Sequence, residues 1–150
     1  MPKYRSRSGK FVVSGVSSDA HTWNLVFLQL MLEERGHEVV NLGACPPDDE
    51  VVAACLRERP DALVVSTVNG HGHMDGERLV RTLRAHPELD GLRAVIGGKL
   101  GVGGAADSHV DALVEAGYDA VFASEHGLEE FADFLRELRP RRRAPAEPVA

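Results

Sequence analysis

The run Ala62-Leu63-Val64-Val65 constrains the fold more than any other stretch of this chain. Apolar residues in succession put apolar side chains on both faces of a strand. Such a strand must be covered on both faces, which is the situation of a central strand in a parallel sheet with helices above and below it. The rest of the sequence supplies matching parts. Phe11-Val12-Val13-Ser14-Gly15-Val16 reads as a buried first strand, and Glu38-Val39-Val40-Asn41-Leu42 as a second. The third is Ala62-Leu63-Val64-Val65-Ser66. Arg93-Ala94-Val95-Ile96 reads as a fourth, ended by Gly97-Gly98, and Ala120-Val121-Phe122 as a short fifth.

Helical spacing fills the intervals. Leu25, Leu28, Met31 and Leu32 recur along a helix predicted from Trp23 to Arg35, with Gly36 as its stop. Pro46-Pro47-Asp48-Asp49-Glu50 opens a second helix, with acids in the first turn where the helix dipole favours them, and Val51, Val52, Cys55 and Leu56 continue it to Pro60. A third carries Leu79, Val80 and Leu83. A fourth starts near Asp107, carries Val110, Leu113 and Val114, and stops at Gly117. Leu128, Phe131, Phe134 and Leu135 mark the last. Strands alternating with helices in units this short predict one α/β domain: a flavodoxin-like, doubly wound, five-stranded parallel sheet of order 2-1-3-4-5.

The domain is expected to span residues 11–137. Residues 1–10 and the Arg/Pro-rich residues 138–150 lack periodicity and are expected to be disordered tails. The net charge of −6 is unevenly spread. Residues 11–135 hold 8 Lys or Arg against 21 Asp or Glu, so the folded body is acidic and argues against binding nucleic acid. The run Arg139-Pro140-Arg141-Arg142-Arg143 reads as a solvated tail rather than a polyanion site. No stretch reaches the roughly 20 apolar residues of a membrane span, and no apolar signal region follows the basic N-terminus. Cys45 and Cys55 lack Cys-x-x-Cys spacing and read as reduced thiols, which gives a cytoplasmic expectation.

The residues that carry chemistry fall at the carboxyl ends of strands, where open α/β sheets bind ligands. Ser18-Asp19-Ala20-His21 follows the first strand, Ser66 ends the third, and Gly97-Gly98 follow the fourth. An Asp two residues before a His suits a fixed pairing: the carboxylate takes one ring proton and leaves the other nitrogen for a metal. Each element alone has a plainer reading, as a solvated histidine, a locally bonded serine or a turn. Their convergence at one switch point is what favours a ligand site. Gly70-His71-Gly72-His73 reads as a loop after the third strand, with surface histidines lacking a third metal ligand.

On these residues the chain resembles the cobalamin (B12)-binding domains, whose pattern is Asp-x-His-x-x-Gly, then Ser-x-Leu, then Gly-Gly. The resemblance covers roughly residues 11–137 and is closest to the small (sigma) subunits of glutamate mutase, also called methylaspartate mutase. Val39-Val40-Asn41-Leu42-Gly43 and the segment from Ser66 to Gly72 support it. It implies base-off adenosylcobalamin, with His21 as the lower axial ligand of cobalt and Asp19 as its hydrogen-bond partner. Ser18, Ala20 and Thr22 would complete the ligand turn. Ser66 would bond the detached dimethylbenzimidazole, flanked by Thr67 and Val68. Gly97 and Gly98 would admit the nucleotide tail, beside Lys99, Leu100, Gly101, Val102 and Gly103. Two positions depart from the pattern: Asn24 stands at the motif glycine and Val68 at the motif leucine.

One sheet with its helices has no second domain to enclose a radical reaction. The resemblance therefore implies a cobalamin-binding small subunit of a two-component carbon-skeleton mutase of the glutamate/3-methylaspartate type, not active alone. Its partner would be a large barrel-type catalytic subunit holding the small-molecule substrate, and no residue of this chain would be an acid, base or nucleophile. The alternatives are a stand-alone corrinoid carrier, as in methyl transfer, and a cobalamin-sensing regulatory module without mutase activity. A phosphoacceptor receiver is disfavoured: the first turn holds His21 rather than an acidic cluster, and no Asp marks the end of the third strand.

Overall fold

A computed structural model describes residues 8–70, 72–99 and 106–138. Its strands are β1 (Lys10–Ser14), β2 (Glu38–Asn41), β3 (Ala62–Thr67), β4 (Arg93–Gly98) and β5 (Ala120–Phe122). The helices are α1 (Trp23–Glu34), α2 (Asp48–Glu58), α3 (Gly72–Arg84), α4 (Ala106–Ala116) and α5 (Gly127–Glu137), with a 3-10 turn at Pro87–Leu89. All pairings are parallel and the sheet order is β2-β1-β3-β4-β5. The flavodoxin-like expectation is met.

Each strand feeds two cores, as runs apolar on both faces require. Val12, Leu63, Val65, Ala94 and Ile96 pack with Val51, Cys55, Leu79, Leu83 and Leu113, beneath α2, α3 and α4. Phe11, Val13, Val64 and Val95 pack on the opposite face with Leu25, Leu28, Leu32, Phe131 and Leu135, beneath α1 and α5. The turn after β1 thus lies between α1 on one side of the sheet and α2 and α3 on the other.

Several boundaries differ from the sequence reading: β1 stops at Ser14 rather than Val16 and β3 runs on to Thr67, and four other differences change what a segment does. Lys10, assigned to the N-terminal tail, is the first residue of β1, paired with Glu38, and its ammonium meets Glu58 at 2.6 Å. Gly97 and Gly98 do not follow β4 but complete it, in register with Ser66 and Thr67. Gly72 and His73 lie in the first turn of α3 rather than in a loop. Leu138, assigned to the C-terminal tail, packs against the α1/α5 core. Residues 1–7 and 139–150 lie outside the described residues, as does His71.

Candidate functional site

After β1 the chain turns sharply, with Asp19 N–H bonded to Val16 O at 3.0 Å. Asp19 is 1% exposed, and its carboxylate organises the whole turn. Oδ1 accepts the His21 backbone N–H at 2.9 Å and lies 2.6 Å from His21 Nδ1. Oδ2 accepts the Thr67 hydroxyl at 2.6 Å and the Val68 backbone N–H at 2.8 Å. Burial alone would raise the Asp19 pKa; the hydrogen bonds from Thr67, the His21 backbone, Val68 and the His21 ring outweigh it and lower the pKa to about 2. Asp19 is therefore a fixed anion at neutral pH. It takes the proton on His21 Nδ1, so the Nε2 lone pair remains for another partner. The His21 side chain is 58% exposed, which leaves that nitrogen approachable.

The turn is braced from the α2/α3 side as well. Arg78 on α3 donates to Ser17 Oγ at 2.8 Å and to Asp48 at 2.6 Å and Asp75 at 2.8 Å. Ser18 Oγ bonds Asp75, and Asn69 Nδ2 donates to Ser18 O at 3.2 Å. On the α2 side, Cys45 N–H donates to Asp19 O at 3.0 Å. No sequence pattern points to Arg78 or Asn69, because their role comes from tertiary placement alone.

Beside this turn, on the α1/α5 face, opens a cavity of about 350 Å³, within the range of a small-molecule site. Its wall is largely apolar: Phe27, Leu28, Val64, Val95, Phe122, Leu128 and Phe131 contribute. Asn24, Ser66, Ser124 and Glu125 add polar groups at particular points. Val68, Gly97 and Gly98 complete the rim at the strand ends. A side chain at Gly98, whose φ is +106°, would collide with the Thr67 carbonyl, and a Cβ at Gly97 would sit 3.0 Å from Phe122 O. These glycines keep the strand ends close together and their side of the cavity open.

The predicted residues thus divide. Asp19 and His21 form the paired turn, and Ser66, Val68, Gly97 and Gly98 line the cavity. Thr67 does not line it: it points to the Asp19 side and holds the carboxylate. Ser18, Ala20 and Thr22 are exposed on the turn, and Thr22 caps α1 without a side-chain bond. Lys99 is exposed, and its backbone N–H donates to Thr67 O at 2.8 Å. Leu100, Gly101, Val102 and Gly103 lie outside the described residues. The sequence reading missed the β5–α5 segment, Ser124, Glu125, Gly127 and Leu128. Its position at the carboxyl end of a strand was the available signal.

His73 stacks on His109 with ring centroids 3.7 Å apart. Among the described residues no three His, Cys, Asp or Glu side chains gather as a metal cage. None of the described helices is long and apolar enough to cross a membrane. Trp23, Val26, Phe27 and Leu30, at helical spacing on α1, are 80%, 42%, 51% and 60% exposed, so α1 presents an apolar stripe outward as well as inward.

Residues 9–132 match the family model for the B12 binding domain. Glutamate mutase sigma subunit 1 of Haloarcula marismortui is 35% identical over 140 residues, covering 90% of this chain and 87% of its own. A cobalamin-binding protein from Desulfitobacterium hafniense superposes with a TM-score of 0.70 at 22% identity, over 87% of this chain and 59% of that one. A CheY-like protein from Pseudomonas aeruginosa superposes at 0.63 and 22% identity, over 93% of this chain and 98% of that one. The last two establish the fold alone.

Proposed function

Because the chain belongs to the B12-binding domain family, we propose that it binds adenosylcobalamin base-off and serves as the cobalamin-carrying small subunit of a two-component mutase of the glutamate/3-methylaspartate type. The observation that carries this reading is the Asp19–His21 pair standing beside an apolar cavity with Ser66 in its wall. The residues fit the group. A metal that arrives inside a macrocycle brings its own equatorial ligands and asks the protein for one more, and His21 Nε2 is one such nitrogen. A detached heteroaromatic tail asks for a deep apolar slot with a hydrogen-bond donor, which the cavity and the Ser66 hydroxyl supply. The relatives named as glutamate mutase sigma subunits support the choice of mutase over carrier or sensor.

When bound, the cofactor would supply a carbon radical by homolysis of its cobalt–carbon bond. This chain's own work is to hold it. Asp19 keeps the His21 proton on Nδ1, Thr67 and Val68 keep Asp19 in place, and the cavity shields the tail from water. The upper face would point away from this sheet, so a partner must enclose it. The outward apolar stripe on α1 begins at Trp23, two residues after His21, and supports a partner surface continuous with the cofactor's edge. The partner in this reading is a large barrel-type catalytic subunit, and it holds the substrate.

Titration with adenosylcobalamin, followed by absorbance, tests the reading. Saturable binding with conversion to the base-off, histidine-ligated spectrum is expected, with no glutamate rearrangement until the large subunit is added. Rearrangement by the homogeneous chain alone, or no saturable binding, would overturn it.

A further inference from the structure

Asn24 stands where the resembling motif has glycine, and the structure gives it a definite contact. Its Nδ2 donates to Ser66 Oγ at 2.8 Å. Ser66 is 7% exposed and lines the cavity, and among the described residues its hydroxyl makes no second bond. Asn24 Oδ1 is the buried side-chain polar atom left without a partner among the described residues. Turning the amide over would leave a buried NH2 unpaired in place of a carbonyl oxygen, and buried orphan N–H groups are the rarer and costlier kind. The network assigns the amide with Nδ2 donating to Ser66.

A hydroxyl has one proton to give and two lone pairs. With Asn24 N–H on a lone pair, the Ser66 proton remains for the cavity, and an acceptor there gains from the polarisation of a bonded chain. We propose that Asn24 is a positioning residue that makes Ser66 an obligate donor. The cavity then selects a heteroaromatic tail whose ring nitrogen carries a lone pair over a tail ring without one. This rests on the cobalamin reading and adds to it the residue that sets tail specificity.

The test compares two cobamides, one tailed with dimethylbenzimidazole and one with a phenol ring lacking nitrogen, by equilibrium titration of the full chain. The dimethylbenzimidazole nitrogen must first leave the cofactor's own cobalt, which a phenol tail need not do. The readout is therefore the ratio of the two affinities in wild type against the same ratio in a variant; the Ser66 bond should make the wild-type ratio about tenfold higher. Asn24→Asp has nearly the same shape, and a carboxylate at a helix start is tolerated by the dipole. Titrated at a pH where it is ionised, it can only accept, so it takes the Ser66 proton. Asn24→Asp should therefore lower that affinity ratio to about one tenth of its wild-type value. Ser66→Ala should lower the ratio by about as much, and gives a second variant should the first fold poorly. A role confined to filling space predicts the wild-type ratio in Asn24→Asp, and that ratio would overturn the proposal. An affinity ratio left unchanged by Ser66→Ala would also overturn it while leaving the cobalamin reading intact. Binding of neither would overturn both.

Discussion

Replacing Asp19 by Asn tests the centre of the ligand turn. The carboxylate accepts on both oxygens, from His21 N–H and its ring on one side and from Thr67 and Val68 on the other. An amide has one oxygen and one NH2, so whichever way it turns, a backbone N–H of His21 or Val68 faces another donor. The magnitude follows from the titration of the carboxyl. Holding Asp19 at about 2 rather than the ordinary 3.8 contributes about 2 kcal/mol of stability at neutral pH. A lowered carboxyl pKa stabilises above the unfolded value and is lost as pH falls through the folded one. Urea denaturation at several pH values should show Asp19→Asn less stable by about 2 kcal/mol at pH 7, with the gap closing between about pH 4 and pH 2. Metal ligation should weaken by about 10–100-fold, as for the loss of a group that orients a ligating histidine. A variant as stable as wild type at pH 7, or a gap that persists unchanged to pH 2, would refute the reasoning.

Three further outcomes follow from the geometry. Gly98→Ala forces a Cβ toward the Thr67 carbonyl at a φ of +106° and should cost more than about 1 kcal/mol in denaturation, whereas a neutral result would show that the strand end can shift. Cys55 is buried, which pushes its thiol up to about 12, while Cys45 is exposed; a thiol reagent at pH 8 should therefore label one cysteine quickly, and mass spectrometry should place it at Cys45. Leu30→Glu on the outward stripe of α1 should leave cobalamin affinity unchanged and weaken association with the large subunit by at least about tenfold, and unaltered association would remove α1 from the interface.

The sheet was legible because continuous apolar runs such as Ala62-Leu63-Val64-Val65 can be satisfied only by burial on both faces. The same logic placed the Asp19–His21 turn at the carboxyl edge of the sheet. Other features were hidden for definite reasons. Gly97 and Gly98 read as following the fourth strand because glycine commonly ends one, yet they pair with Ser66 and Thr67 inside β4, where an added Cβ would meet Phe122 and Thr67. Gly72 read as loop for the same reason, although tertiary packing starts α3 there. Thr67 looked like a flank of Ser66; alternation along the strand instead turns it to the opposite side, onto Asp19. The bracing by Arg78 and Asn69 spans 61 and 51 residues of sequence and leaves no local signal. The outward stripe on α1 was concealed by the inward one, since apolar residues on two sides of a helix leave no single face to read.

The central claim is that His21 supplies the lower ligand of cobalt, and electron paramagnetic resonance of the bound Co(II) form tests it most directly. An axial imidazole nitrogen splits the cobalt lines into triplets when it is 14N and into doublets when it is 15N. Protein grown uniformly in 15N and loaded with unlabelled cobalamin should show doublets, and His21→Ala should lose them. Triplets that persist in the labelled protein would place the cofactor's own base on cobalt and contradict the account.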